Sequence, residues 1–146
     1  MKIKLDIKPE YKEIEVHICY KIENQEVKGL YASLRTILDD KLMAYHEDEK
    51  KMILCSNIIR VFSQNKNVYV TTKEGVYRLR ERLYELEEKL DQSQFIRISN
   101  SEIVNIRKME RLDTSVTGTI HLYLNGGIDT YVSRRYVRTI KEKLGI

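Results

Sequence analysis

The chain has 146 residues, of which 42% are hydrophobic and 33% charged, with one proline and two cysteines. This is enough apolar side chain to offset the ordering entropy of one compact domain with a small appendage, which excludes a disordered chain. No apolar run approaches the ~20 residues that cross a bilayer, the start MKIKLDIKPEYKEIEV lacks the apolar core of a signal peptide, and Cys19 and Cys55 stand far apart with no second Cys or His at ligand spacing, so a cytoplasmic protein with reduced thiols, no disulfide framework and no zinc site is expected.

The net charge of +4 is unevenly placed. Residues 1–93 hold 17 Lys/Arg and 17 Asp/Glu, whereas residues 94–146 hold 9 against 5, so the whole excess lies in the last third. A localised cationic excess suits a face that meets a polyanion and displaces its counterions, although a charge of this size is also ordinary for a solvated surface.

Near the N-terminus, Ile14, Val16, Ile18 and Tyr20 alternate with Glu13, Glu15, His17 and Cys19, which predicts a strand with one apolar face. Asn24 then offers a cap to a helix whose Val27, Leu30, Tyr31, Leu34, Ile37 and Leu38 form one stripe ahead of Asp39-Asp40. Short strands follow at Leu42 to Tyr45, Lys51 to Leu54, Ile58 to Phe62, Val68 to Thr72 and Val76 to Leu79, divided by the turns HEDEK, SQNKN and TKEG. Leu79, Leu83, Leu86 and Leu90 share a helical face, with Glu81 to Glu85 and Glu85 to Lys89 pairs available on its exposed side.

Beyond Ser93 come a strand at Phe95 to Ile98, a polar corner at Ser99-Asn100-Ser101, the apolar stretch Ile103, Val104 and Ile106, and a strand at Met109 to Leu112. Ile120, Leu122 and Leu124 alternate against His121 and Tyr123, and Asn125-Gly126-Gly127 predicts a hairpin to Ile128 to Val132, because Asn and Gly accept positive φ. Ser133 is placed to cap a last helix with Val137, Ile140 and Leu144 inward and Arg134, Arg138 and Lys141 outward. The pattern is a mostly β chain with short helices, and neither an internal repeat nor a linker is visible.

An enzyme needs a constellation of groups, and none of the familiar ones is present. The histidines are scattered, without an HExxH helix, a glycine-rich phosphate loop or a GxSxG elbow. Nothing beside Cys55 and His46 supports a nucleophile and its base. The acidic run His46-Glu47-Asp48-Glu49 reads as a solvated turn rather than a Mg²⁺ site, and Glu85, Glu87 and Glu88 as a solvated helix face. No catalytic residue, metal or cofactor is expected.

Two segments remain, FIRISNSEIVN at 95–105 and YVSRRYVRTIKEK at 131–143. Arg presents a planar donor fork suited to guanine edges or phosphates, and Asn can pair bidentately with adenine. On chemistry alone a second account stands level with this one, in which Ser99-Asn100-Ser101 caps the next turn and Arg134, Arg135 and Arg138 form a solvated helix face.

These segments resemble the LytTR family of bacterial DNA-binding domains, whose signature is a polar His/Ser-Asn-Ser corner running into an Ile/Val-Val-Asn stretch, with a Ser/Arg element near the C-terminus. Ile98-Ser99-Asn100-Ser101, Ile103-Val104-Asn105 and Tyr131-Val132-Ser133-Arg134-Arg135-Tyr136-Val137 fall in that order, and Ile58 to Thr72 looks like the family's earlier strand-loop-strand. The resemblance covers about residues 42–146 and implies an elongated fold of antiparallel β-sheets with short helices, whose loops enter successive major grooves of double-stranded DNA. It assigns Asn100 to the corner contact, Arg135 to base reading with Arg134 beside it, and the loop Gln64 to Asn67, through Lys66 and Asn67, to a third contact. Ser99 stands where many members have His, so a contact from it would be shorter or absent.

The resemblance also bears on residues 1–41. A segment of that length cannot hold a phosphoacceptor receiver, so the chain looks like the stand-alone LytTR regulators that carry a short strand-helix extension and are often paired with a small membrane protein that restrains them. A homodimer on DNA is expected, with Val27, Leu30, Leu34 and Ile37 serving as a dimer contact, as a dock for that partner, or in packing within the chain. The competing class is a protein-interaction module that uses strand edges and the N-terminal helix. Single-strand RNA recognition has little support, since no paired strand motif resembles a base-stacking platform.

Overall fold

The computed structural model describes residues 2–12, 14–38 and 40–146, and the side chains of all of these except 35–38. Glu13, Asp39 and the side chains of Ile37 and Leu38, which the sequence patterns include, lie outside that description. The chain divides into two compact units, Met1–Leu38 and Asp39–Ile146.

In the first unit, helix α1 spans Gln25–Leu38 and is capped as its sequence requires, the Val27 N–H donating to Oδ1 of Asn24 at 3.0 Å. Val27, Leu30 and Leu34 are half-buried along it. The strand expected over Ile14 to Tyr20 is not formed. Alternation creates an apolar face, but a strand also needs a neighbouring edge for its N–H and C=O groups, and among the described residues this segment makes no ladder bond, leaving Ile14 95% exposed.

The second unit is built from β1 (Lys41–His46), β2 (Glu49–Leu54), β3 (Ile58–Gln64), β4 (Asn67–Thr72), β5 (Gly75–Leu79), α2 (Leu83–Lys89), β6 (Phe95–Ser99), β7 (Glu102–Asn105), β8 (Met109–Asp113), β9 (Ile120–Leu124), β10 (Ile128–Val132) and α3 (Arg134–Leu144). A seven-stranded sheet runs in the order β2-β1-β5-β4-β3-β7-β6 and a three-stranded sheet in the order β10-β9-β8. Every pairing is antiparallel. The architecture is mostly β with short helices, as the residue pattern implied.

Alternation along these strands divides the interior into two cores. One gathers Leu42, Ile53, Ile58, Val61, Val70 and Ile103 under Leu83, Leu86 and Leu90 of the α2 region, and the other joins Ile98 and Val104 to Ile120, Leu122, Leu124, Val132 and Ile140 of α3. Full burial of each such side chain is worth about 1.5–3 kcal/mol, so α2 and α3 are held by their apolar faces rather than by helix propensity.

Two polar groups are buried with these cores and fully used. Asn105, with no exposure, donates to the Ile58 carbonyl at 2.7 Å and accepts from Arg107 N–H at 3.0 Å, which pins the end of β7 to the start of β3. Glu102, 7% exposed, takes Arg60 of β3 at 3.0 Å on one oxygen and the Thr130 hydroxyl of β10 at 2.6 Å on the other, joining the two sheets.

Three local expectations are corrected. Leu79 ends β5, paired with Val68, as the strand expected at Val76 to Leu79 requires, and the helical face expected from Leu79 onward is confined to Leu83–Lys89, because the ladder to β4 takes the backbone that helical spacing alone would claim. Neither expected glutamate pair forms on α2: Glu85 turns back to accept from the Arg82 N–H at 3.1 Å, and Lys89 meets Glu81 at 3.6 Å. Ser133 occupies the cap position of α3 without a side-chain cap bond. Among the described residues no cluster of three or more His, Cys, Asp or Glu could hold a metal ion, and no helix is long and apolar enough to cross a membrane.

Candidate nucleic-acid interface

The Ser99-Asn100-Ser101 corner is the turn between β6 and β7, and it is built by its neighbours. Ser99 Oγ accepts from the Ser101 N–H at 3.2 Å, a local bond that serine makes readily in place of ladder structure. Arg97 clamps the backbone from beneath, donating through Nε to the Ser99 carbonyl and through Nη2 to the Asn100 carbonyl, both at 2.6 Å, while Nη1 meets Glu87 of α2 at 2.7 Å. The corner's shape is thus set by a guanidinium whose three nitrogens all have partners. Leading into β6, Ser93 donates its hydroxyl and its N–H to the Asp91 carboxylate at 2.7 and 2.8 Å, which holds that carboxyl below its ordinary range.

The β3–β4 turn lies at the same end of the sheet. Phe62 pairs with Glu102, and one residue on the Ser63 N–H donates to the Ser101 carbonyl at 2.8 Å, so β3 delivers its turn directly beside the corner. Gln64 pairs with Asn67, closing a two-residue loop in which Asn65 and Lys66 have φ of 51° and 65°. That backbone is what a tight hairpin with right-handed twist requires; Asn tolerates it, and Lys66 adopts it at a cost. Lys66 is exposed at the tip.

The third segment is the start of α3. The Ser133 N–H donates to the Ile98 carbonyl at 2.9 Å, which anchors the helix entrance to β6 one residue before the corner. From the first turn, the Tyr136 hydroxyl donates to Oδ1 of Asn100 at 3.3 Å, leaving the Nδ2 amide of Asn100 as its outward donor. Arg134 and Arg135 are exposed beside it, Arg135 lying 5.9 Å from the Tyr136 ring centroid and Arg134 next to Gly118 of the β8–β9 loop.

All six residues singled out from the sequence, Lys66, Asn67, Ser99, Asn100, Arg134 and Arg135, therefore meet at one end of the second unit. Among the described residues, Lys66, Arg134 and Arg135 take part in no ion pair, whereas Arg60 and Arg97 are paired internally. The end presents unpaired cations, a helix N-terminus and an outward amide, a donor set suited to phosphate oxygens and base edges. Sequence reasoning missed Arg97 and Tyr136, the residues that shape the corner. Arg97 does leave a trace, as a charge between the buried Ile96 and Ile98, while the role of Tyr136 depends on a contact across 36 positions.

Comparison with known proteins shows the family and the fold. Residues 48–145 match the LytTr DNA-binding domain family. An uncharacterised HTH-type transcriptional regulator of Staphylococcus aureus strain bovine RF122 / ET3-1 is 38% identical over 149 aligned residues, spanning 100% of this chain and 99% of its own length, and a like-named protein of strain MRSA252 aligns equally well. Those names speak of a helix-turn-helix; here five strands separate α1 from α2 and five separate α2 from α3 among the described residues. The fold is that of a solved LytTr DNA-binding domain from Bacillus cereus, which superposes with a TM-score of 0.71 at 24% identity, covering 73% of this chain and 97% of that one. The chain belongs to the LytTR family: it carries a LytTr DNA-binding domain and is a DNA-binding protein, not an enzyme.

Proposed function

We propose that this chain is a sequence-specific transcriptional regulator that reads double-stranded DNA by inserting the 64–67 turn, the 99–101 corner and the start of α3 into successive major grooves. The supporting observation is the pair of bonds that assemble the reading end, Ser63 N–H to Ser101 carbonyl and Tyr136 hydroxyl to Asn100. In this reading Arg135 and Asn100 contact base edges, Arg134, Lys66 and Asn67 contact phosphates or the groove wall, and Ser99 makes at most a short contact. The S. aureus relatives, named as transcriptional regulators, support the regulatory role.

The test is binding of wild type, Asn100→Ala and Arg135→Ala to a duplex selected from a randomised pool and to a scrambled duplex, at several salt concentrations. Arg135→Ala is expected to lose about 1–3 kcal/mol of preference for the selected site. Equal, weak binding of all three folded proteins to both duplexes overturns the reading.

The regulator acts as a homodimer, with α1 as the contact between copies or the dock for a small membrane protein that restrains it. The half-burial of Val27, Leu30 and Leu34 and the exposure of Ile3, Leu5 and Ile7 at 83–90% support an unsatisfied apolar surface in the first unit. A monomeric mass for the folded full chain would remove the dimer.

A further inference from the structure

A concavity of about 830 Å³ lies well away from the proposed reading end. It is lined by four consecutive residues of β2, Lys51 to Leu54, by Thr71 and Thr72 at the end of β4, by the β4–β5 turn, and by Lys108, Asn125, Gly126 and Ile128 of the second-sheet region. Asn57 and Ile59 place it beside the start of β3, whereas the corner abuts Ser63 near its other end, so a DNA-bound molecule keeps the cleft open to solution. Nothing in the DNA-reading chemistry uses it.

We infer that this cleft is a docking site for a short extended segment of a partner protein in which aliphatic side chains alternate with carboxylates. Three independent features specify that occupant. First, β2 is the terminal strand of the seven-stranded sheet, and the side of it not paired to β1 is an open edge to which an extended chain can add. Four adjacent β2 residues lining the cleft align such a strand with its floor.

Second, the floor is apolar and the rim is cationic. Met52, Ile59, Val76 and Ile128 line the interior, with Met52 and Val76 respectively 53% and 47% exposed. Lys51, Lys73 and Lys108 surround them against a single carboxylate, Glu74, which is already held by Lys51. Lys73 and Lys108 enter no ion pair among the described residues and are left to face an incoming acid.

Third, the hydroxyl of Thr71 is buried without a hydrogen-bond partner among the described residues, in a residue 6% exposed. A buried hydroxyl left unpaired is costly, and threonine here is not needed for packing, because valine has the same shape. A peptide group entering the cleft supplies the missing partner.

The experiment titrates isotope-labelled full-length protein with acetyl-Glu-Leu-Glu-Ile-Glu-amide, following backbone amide shifts, with acetyl-Lys-Leu-Lys-Ile-Lys-amide as control. The expected result is a shift pattern centred on Lys51 to Leu54 and Thr71 to Val76 for the acidic peptide alone. Lys73→Glu combined with Lys108→Glu should weaken binding at least tenfold, and Thr71→Val about fivefold. Thr71→Val should at the same time raise the melting temperature of the unliganded protein, which a purely structural threonine would not do, and should bind DNA as wild type does. The inference is overturned by silence of these amides at millimolar peptide, by equal response to the lysine peptide, by undiminished affinity in the variants, or by a DNA duplex producing the same shifts.

Discussion

Tyr136, in the first turn of α3, donates its hydroxyl to the side-chain oxygen of Asn100 at the tip of the β6–β7 corner, 3.3 Å away. The bond orients the amide so that its donor faces outward, and it makes the helix entrance and the corner one rigid piece. Removing the hydroxyl by Tyr136→Phe keeps the ring in place, so stability should change by less than about 1 kcal/mol. DNA affinity should fall roughly three- to tenfold, because Asn100 must then be ordered at the moment of binding. In a double-mutant cycle with Asn100→Ala the two losses should overlap rather than add.

Lys66 sits at φ of 65° in the β3–β4 turn, a backbone conformation that costs a residue with a Cβ on the order of 1 kcal/mol or more. Lys66→Gly relieves that cost and removes the cation. The variant should be slightly more stable by urea denaturation, yet bind DNA more weakly, with the slope of log affinity against log salt reduced by about one. A gain in stability with an unchanged salt slope would mean that Lys66 does not meet a phosphate.

Glu102 holds Arg60 at 3.0 Å and Thr130 at 2.6 Å from a nearly buried position. Glu102→Ala leaves the guanidinium without its counter-charge and separates the two sheets at this point, and should cost about 3 kcal/mol in chemical denaturation. Glu102→Gln retains an acceptor and should cost less. If the alanine variant is as stable as wild type, Arg60 has found solvent and the bridge between sheets is not structural.

Much of the second unit can be read from the chain because its cues are local. Ile120, Leu122 and Leu124 alternate toward one core, and Gly126 and Gly127 take φ of 81° and 70° in the turn that Asn125-Gly126-Gly127 announces. Local cues also mislead where pairing decides. The alternation from Ile14 to Tyr20 promises a strand that finds no edge among the described residues, and Leu79 has the spacing of a helix face but is held by Val68. The six candidate contact residues came from the resemblance to the LytTR family, Lys66 and Asn67 through it alone. Arg97 and Tyr136 did not, because their function lies in reaching the Ser99 and Asn100 carbonyls and the Asn100 side chain, contacts that only the folded register creates.

The turn feeding β6 carries a pH signature. The Ser93 hydroxyl, and then its N–H, lower the Asp91 carboxyl below its reference value of 3.8 in the folded chain. A group whose folded pKa is depressed stabilises above its unfolded pKa, and loses that contribution as pH falls through the folded value. Ser93→Ala removes the hydroxyl and should cost less than about 1 kcal/mol near neutral pH, solvent exposure having screened the pair. The difference between wild type and variant, measured by urea denaturation, should stay level down to about pH 5 and then shrink steadily as the solution is acidified below about pH 4. A difference that grows on acidification contradicts this assignment.

The most direct measurement maps backbone amide shifts and exchange protection of the full chain on a duplex selected from a randomised pool. Protection concentrated on Gln64 to Asn67, Ser99 to Ser101 and Ser133 to Tyr136, fading together as salt is raised, is the predicted result. Protection that leaves these three segments unchanged and falls instead on α1, on the outer face of β8 to β10 or on the β2 cleft would contradict the assignment of the DNA-reading end.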